Sequence, residues 1–136
     1  MLTIGKRHAR EIVEHAVKED PNECCGILAG ESGVVHQAYP ITNAAASPFR
    51  YLMDPQEFLD ADLAVERKGW EFLAFYHSHT HSPAYPSDTD VRMALQSGYL
   101  DVYYVLVSLE DRDDPDVRAF RIDESGAISE SELRIV

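Results

Sequence analysis

The sequence predicts one α/β or α+β domain, a mixed, curved β-sheet flanked by helices. Three observations carry that expectation. Apolar residues recur at helical spacing in segments closed by proline or glycine. Between those segments lie short apolar runs bounded by turn residues, the pattern of buried strands. The strands outnumber the helices and are interleaved with them, which calls for a sheet with helices laid against it.

Taken in order, residues 6–20 place Ala9, Ile12, Val13, Ala16 and Val17 on one helical face, and Pro21 stops the helix. "CCGILAG" follows as a buried strand, and Gly30–Gly33 reads as a hairpin turn into "VVHQAYPI". After a polar loop, "TNAAASPFRYLM", Asp54 is an N-cap, Pro55 a first-turn proline and Glu57 an acid in the first turn. That helix should reach Arg67 or Lys68 and end at Gly69. "EFLAFYH" is a strand delivering His77 near its C-terminal end, and Pro83 and Pro86 keep the following run out of a ladder. A third helix spans Ser87 to about Ser97, with Val91, Ala94 and Leu95 inward and Gly98 as its stop. "VYYVLVSL" is a central strand, and "VRAFRI" and the tail around "ELRIV" supply further strands.

A chain of 136 residues can bury its own core, and neither repeats nor a composition break divide it, so residues 1–136 are expected to form one domain. Twelve basic against 24 acidic residues give a net charge of −12, which disfavours nucleic acid and anionic membranes as partners. General solubility and adaptation to high salt explain that excess equally well. No apolar run reaches membrane-spanning length, and "MLTIGKRHAR" lacks the apolar core of a signal peptide, so a cytoplasmic location is expected. Cys24 and Cys25 are adjacent, which disfavours a disulfide between them. They read as small buried side chains of a strand.

The stretch "HSHTHSPAYPSDTD" carries the chemistry. In extended chain, His77, His79 and His81 share one face, and two imidazoles so placed can converge on one ion. A catalytic zinc wants three protein ligands and an open position. Asp90, in the first turn of the next helix, is the candidate third, and a mixed nitrogen and oxygen set suits zinc better than magnesium. Glu23, between a helix end and an apolar strand, is the candidate proton acceptor, and Ser87 a candidate oxyanion donor. Each has a plainer reading. Ser87 with Asp90 fits a serine–acid capping box, and Glu23 alone fits an exposed helix-end acid. His81 reads as a loop residue, and His8, His15 and His36 as surface.

Together these residues resemble the JAMM (MPN+) metalloprotease signature. A glutamate precedes an apolar strand, and His-Ser-His is followed after ten residues by an aspartate with serine three before it. "PNECCGILAG", "TNAAASPFRYLMDPQEF" and "YYVLVSL" look like matching segments of small bacterial members, so the resemblance spans nearly the whole chain. It implies His77, His79 and Asp90 as zinc ligands, Glu23 as general base and acid, and Ser87 as stabiliser of the tetrahedral intermediate. It also implies a mixed curved sheet resembling deaminase-like folds. For substrate it implies a ubiquitin-like or sulfur-carrier protein with a C-terminal Gly-Gly, trimmed with release of a group as small as cysteine.

The alternatives are a lysine isopeptidase acting on ubiquitin-like conjugates, a histidine-triad nucleotide hydrolase and a non-catalytic interaction module. The histidine triad wants hydrophobic residues between its histidines, whereas Ser78, Thr80 and Ser82 are polar and Glu23 and Asp90 would have no role. All five chemical positions are filled, which argues against a module that has lost catalysis.

Overall fold

Eight strands and three helices make up the computed structural model of the chain, which describes residues 1–136. In chain order they are β1 (Leu2–Ile4), α1 (Lys6–Glu19), β2 (Cys25–Glu31), β3 (Val34–Ile41), α2 (Pro55–Arg67), β4 (Glu71–His79), α3 (Asp88–Ser97), β5 (Tyr103–Ser108), β6 (Asp116–Ile122), β7 (Ile128–Ser131) and β8 (Leu133–Ile135). The expected class is the one found. The helix boundaries agree with the sequence reading, and two of the three helices are capped as their sequences dictate. The Asp54 side chain accepts from the Glu57 N–H, with Pro55 in the first turn. Ser87 and Asp90 form a reciprocal capping box, and Gly98 closes α3 at φ 76°.

The strands form one sheet in the order β7-β6-β5-β4-β2-β3-β1-β8. Its two outermost strands, β7 and β8, are separated in sequence by Glu132 alone. One stretch of chain therefore runs from one edge of the sheet to the other and curls it nearly into a closed barrel. The sequence reading held a single strand at the C-terminus and none at the N-terminus. Instead β1 pairs with both β3 and β8 in parallel, and β7 pairs with β6. Most ladders are antiparallel, but β4 and β5 run parallel, with α3 in the crossover between them.

The sheet has an apolar layer on each face. Ile12 and Ala16 of α1 join Leu28, Tyr76, Val105 and Val107 on one side. Ala61 of α2 and Ala94 of α3 join Cys25, Ile27, Phe75 and Tyr104 on the other. Two helix residues depart from the predicted inner faces: Val17 is 56 % exposed and Leu95 38 %. A register shift between β2 and β4 sets which β4 residues face which helix. Leu28 pairs with Ala74 and Ala29 with Phe72, so Leu73 is left over and the alternation of faces slips by one. Beyond that slip Tyr76 points to α1, while Phe75 and His77 point to the α2/α3 side, the side from which the site is built.

Candidate metal centre

Three strand and helix termini meet at one end of the sheet. β4 runs two residues further than expected, through His79, so both histidines of the pair are held in a ladder. Cys25 lies opposite His77 in the antiparallel β2·β4 register. Continuing that register sets Glu23 opposite His79, and the Ser78 N–H donates to the Cys24 carbonyl at 3.2 Å there. The capping box of α3 turns Asp90 back toward the strand. His77, His79 and Asp90 are thereby brought together, with one ligand atom from each inside 4.8 Å of the others.

Both Nε2 atoms converge on a single oxygen: Asp90 Oδ2 lies 3.0 Å from that of His77 and 2.9 Å from that of His79. The Ser87 N–H donates to the same oxygen at 2.9 Å. On the far side of the His79 ring, Nδ1 sits 2.9 Å from the Pro83 carbonyl, which can only accept. Nδ1 therefore carries a proton, and Nε2 is the ring atom left to face the carboxylate oxygen. A cation, either a proton on Nε2 or a metal ion in its place, belongs between that nitrogen and the carboxylate. Burial works against charge on His79, yet Asp90 and the Pro83 carbonyl together hold its pKa above the ordinary histidine value. Burial would likewise raise Asp90, but His77, His79 and the Ser87 N–H keep it ionised well below the usual carboxylate range. Asp90 Oδ1 and His77 Nδ1 are buried without any partner. These observations fit a bound metal ion, and the donor set of two imidazoles and one carboxylate is the type zinc takes.

Glu23 does not join the converging set. It is 3 % exposed, which removes the reading as a solvated helix-end acid. Its N–H donates to the Ser47 carbonyl at 2.9 Å, its carbonyl accepts from Asn43 Nδ2 at 3.0 Å, and Oε1 is buried without a partner. Burial pushes its carboxyl up to about 7, with His77 and His79 pulling it down and Asp90 pushing it further up. A carboxyl poised there can both take and return a proton near neutral pH. The Ser87 Oγ accepts from the Asp90 N–H at 3.0 Å, which occupies a lone pair and leaves its own O–H free to donate into the site. The capping and catalytic readings of Ser87 are thus compatible.

His81 is exposed and bonds only to its neighbour Thr80, so it stays outside the centre. His36 is exposed as expected. The surface reading fails for His8 and His15, which are half-buried; His15 Nδ1 lies 2.7 Å from the Tyr76 hydroxyl on the α1 side. Sequence reasoning also missed the supports. Tyr51 stacks on the His77 ring at 4.5 Å. Ser78 Oγ accepts from the Cys24 N–H at 2.8 Å, tying β2 to β4 beside Glu23. Asn43 locks the 44–53 loop with four hydrogen bonds. An asparagine at the end of a strand before a loop was the available signal for that last role.

Residues 5–123 match the family described as prokaryotic homologs of the JAB domain. The chain is 39% identical over 138 residues to a CysO-cysteine peptidase of Mycobacterium tuberculosis, covering 100% of this chain and 92% of the relative. It is 40% identical over 108 residues to a desampylase of Haloferax volcanii, covering 77% of this chain and 73% of that one. A solution structure of a Desulfitobacterium hafniense protein superposes with a TM-score of 0.87 at 33% identity, over 100% of this chain and 93% of that one. The match over most of the sequence, together with the agreement in fold, shows that this chain belongs to the prokaryotic JAB-domain family.

Proposed function

We propose that residues 1–136 form a single zinc-dependent peptidase domain that hydrolyses the bond after the C-terminal glycine tail of a ubiquitin-like or sulfur-carrier protein in the cytoplasm. The observation that carries the reading is the convergence of His77 and His79 on one Asp90 oxygen, beside buried carboxylate and imidazole atoms that have no partner. The relative named a CysO-cysteine peptidase, alike along the whole chain, supports a carrier tail as substrate.

In this reading His77 Nε2, His79 Nε2 and Asp90 hold the zinc. When bound, zinc supplies a Lewis acid for the scissile carbonyl and makes hydroxide available at neutral pH. Glu23 takes a proton from the attacking water and returns it to the leaving amine, and burial favours the first transfer by raising its carboxyl above the ordinary carboxylate range. The Ser87 hydroxyl donates to the oxygen that gains charge as the carbonyl becomes tetrahedral. The Pro83 carbonyl fixes the His79 tautomer, and Tyr51 covers one face of His77 and keeps bulk water from it. Beyond Tyr51 lies a cavity of about 300 Å³ lined mainly by apolar side chains, among them Met53, Phe58, Phe75 and Met93. It gives apolar parts of a substrate a dry surface beside the reacting centre.

A second reading, cleavage of a lysine isopeptide in a ubiquitin-like conjugate, draws on the likeness to the desampylase. The deciding experiment gives the zinc-loaded protein a carrier ending Gly-Gly-Cys and, separately, lysine-linked ubiquitin chains, and follows both by mass spectrometry. Faster release of cysteine from the carrier is expected, and faster cleavage of the chains would overturn the carrier assignment. Zinc content is read in parallel. About one ion per chain is expected, lost in His79→Ala and kept in His81→Ala. Full retention in the His79 variant would refute the ligand set.

A further inference from the structure

The loop over Glu23 carries a cation that the chemistry above does not use. Between Lys18 and Arg67 the only lysine or arginine is Arg50, in a stretch otherwise rich in carboxylates. The loop is pinned on both sides of it. Asn43 Nδ2 donates at once to the Glu23 carbonyl (3.0 Å) and the Arg50 carbonyl (3.1 Å), so both backbones meet at one amide nitrogen. Asn43 Oδ1 accepts from the Leu52 N–H, and the Ala44 N–H donates to the Leu52 carbonyl. The next residue, Tyr51, is buried against His77. Arg50 itself is exposed, and its guanidinium enters none of the ion pairs that engage Arg7, Arg112 and Arg118. A pinned backbone thus roots an exposed arginine without an ion pair beside the centre: its carbonyl shares an amide donor with the Glu23 carbonyl, and the next residue, Tyr51, stacks on His77.

The geometry points to Arg50 as the residue that binds the free α-carboxylate of the departing amino acid and so selects single-residue leaving groups. This rests on the tail-peptidase reading. In the reaction, water adds to the carbonyl carbon of the last tail glycine and the C–N bond breaks. The water oxygen stays on the new glycine carboxylate, and a water proton passes through Glu23 to the leaving nitrogen. When the leaving group is one amino acid, its carboxylate carbon lies ~2.5 Å from that nitrogen, well inside the reach of an arginine rooted beside Glu23. When the leaving group is a lysine side chain, the nitrogen is Nζ, and the α-carbon lies a whole side chain away with its carboxyl in a peptide bond. A planar guanidinium pairs a carboxylate bidentately and charge to charge, whereas an amide offers it one neutral acceptor. Arg50 therefore discriminates between the two substrate classes through the group that only one of them offers.

The test uses two synthetic peptides ending Gly-Gly-Ala, one with a free C-terminal carboxylate and one amidated. They compete for the zinc-loaded enzyme, the kcat/KM ratio is read by mass spectrometry, and each is titrated against the Glu23→Gln variant by fluorescence anisotropy. A preference for the acid of roughly tenfold is expected in turnover by wild type and in binding by Glu23→Gln. Arg50→Gln should bring the ratio near unity by weakening the acid alone, with Tm unchanged. Arg50→Lys should keep part of the preference, and Arg92→Gln, which removes an exposed charge on α3, should keep all of it. Equal handling of both peptides by wild type, or an unchanged preference in Arg50→Gln, would remove the role of Arg50 while leaving the peptidase reading intact. If neither peptide is bound or cleaved, the tail-peptidase reading falls and the role of Arg50 falls with it.

Discussion

Tyr76 and His77 are neighbours on β4, each 1 % exposed, and they face opposite sides of the sheet. On the α1 side the Tyr76 hydroxyl meets His15 Nδ1 at 2.7 Å, within an apolar layer that includes Ile12 and Ala16. Burial lowers the His15 pKa and raises that of Tyr76, so the phenol donates and a neutral imidazole accepts. On the other side His77, Glu23 and Asp90 each keep a buried polar atom without a partner. Such atoms cost about 1–3 kcal/mol apiece when nothing satisfies them. One strand therefore carries a polar pair that stabilises the fold on one face and a cluster left open for a ligand on the other. On β4 itself the Tyr76 hydroxyl is satisfied within the protein, whereas the cluster around His77 is left for chemistry.

The largest effect should come from Glu23→Gln. It keeps the shape but removes the basic lone pair, so turnover should fall by roughly 10²–10⁴ with zinc content near wild type. Near wild-type turnover would show that the proton passes elsewhere. The same variant tests the electrostatics in metal-free protein. A folded pKa raised to about 7 from 4.5 means that the native state holds its proton longer than the unfolded chain. The Glu23 contribution to stability is therefore lost as pH rises from about 4.5 to 7 and is constant above that. Relative to wild type, Glu23→Gln should gain Tm across this window, and a flat difference would refute the raised pKa.

Next in size is Ser87→Ala, with a loss of up to about 10²–10³ in kcat if the hydroxyl holds the oxyanion. Loss of the cap should cost around 1 kcal/mol of stability as well. Ser87→Asp separates the two effects, because it can restore the cap but has no hydroxyl to donate. Its stability should return without its activity, and recovery of both would leave Ser87 a purely structural residue.

The site was legible in the sequence to a degree that the closure of the sheet was not. Helix caps and apolar runs are local signals, and His77, His79 and Asp90 sit at a spacing that a strand end and a capped helix turn into proximity. Glu23 comes from far earlier in the chain; its place between a helix end and an apolar strand made it a candidate, and the family resemblance gave it the role of general base and acid. The three residues of β1 are too few to show a period, and the tail gave no sign of pairing with both β6 and β1. The leftover Leu73 is equally silent, yet it decides which face His77 takes. His15 looked like a surface residue because its partner, Tyr76, lies 61 positions away in another element.

The smallest effect tests the quieter face. Tyr76→Phe removes the hydroxyl and leaves the ring to fill the space beneath Gly26, whose backbone the ring closely approaches. The variant should lose about 1 kcal/mol, the net worth of one hydrogen bond, or roughly 3–5 °C in Tm. His15 loses its partner but stays half-buried and reaches water, which keeps the penalty at the low end. Turnover and zinc content should be unchanged, because Tyr76 and the metal centre lie on opposite faces of a sheet whose backbone is fixed by ladders on both sides of β4. Thermal melts and zinc analysis of the purified variant check both halves. A fall in zinc affinity, with or without a change in Tm, would mean that the two faces of β4 are coupled and that the α1 layer helps to aim His77 and His79.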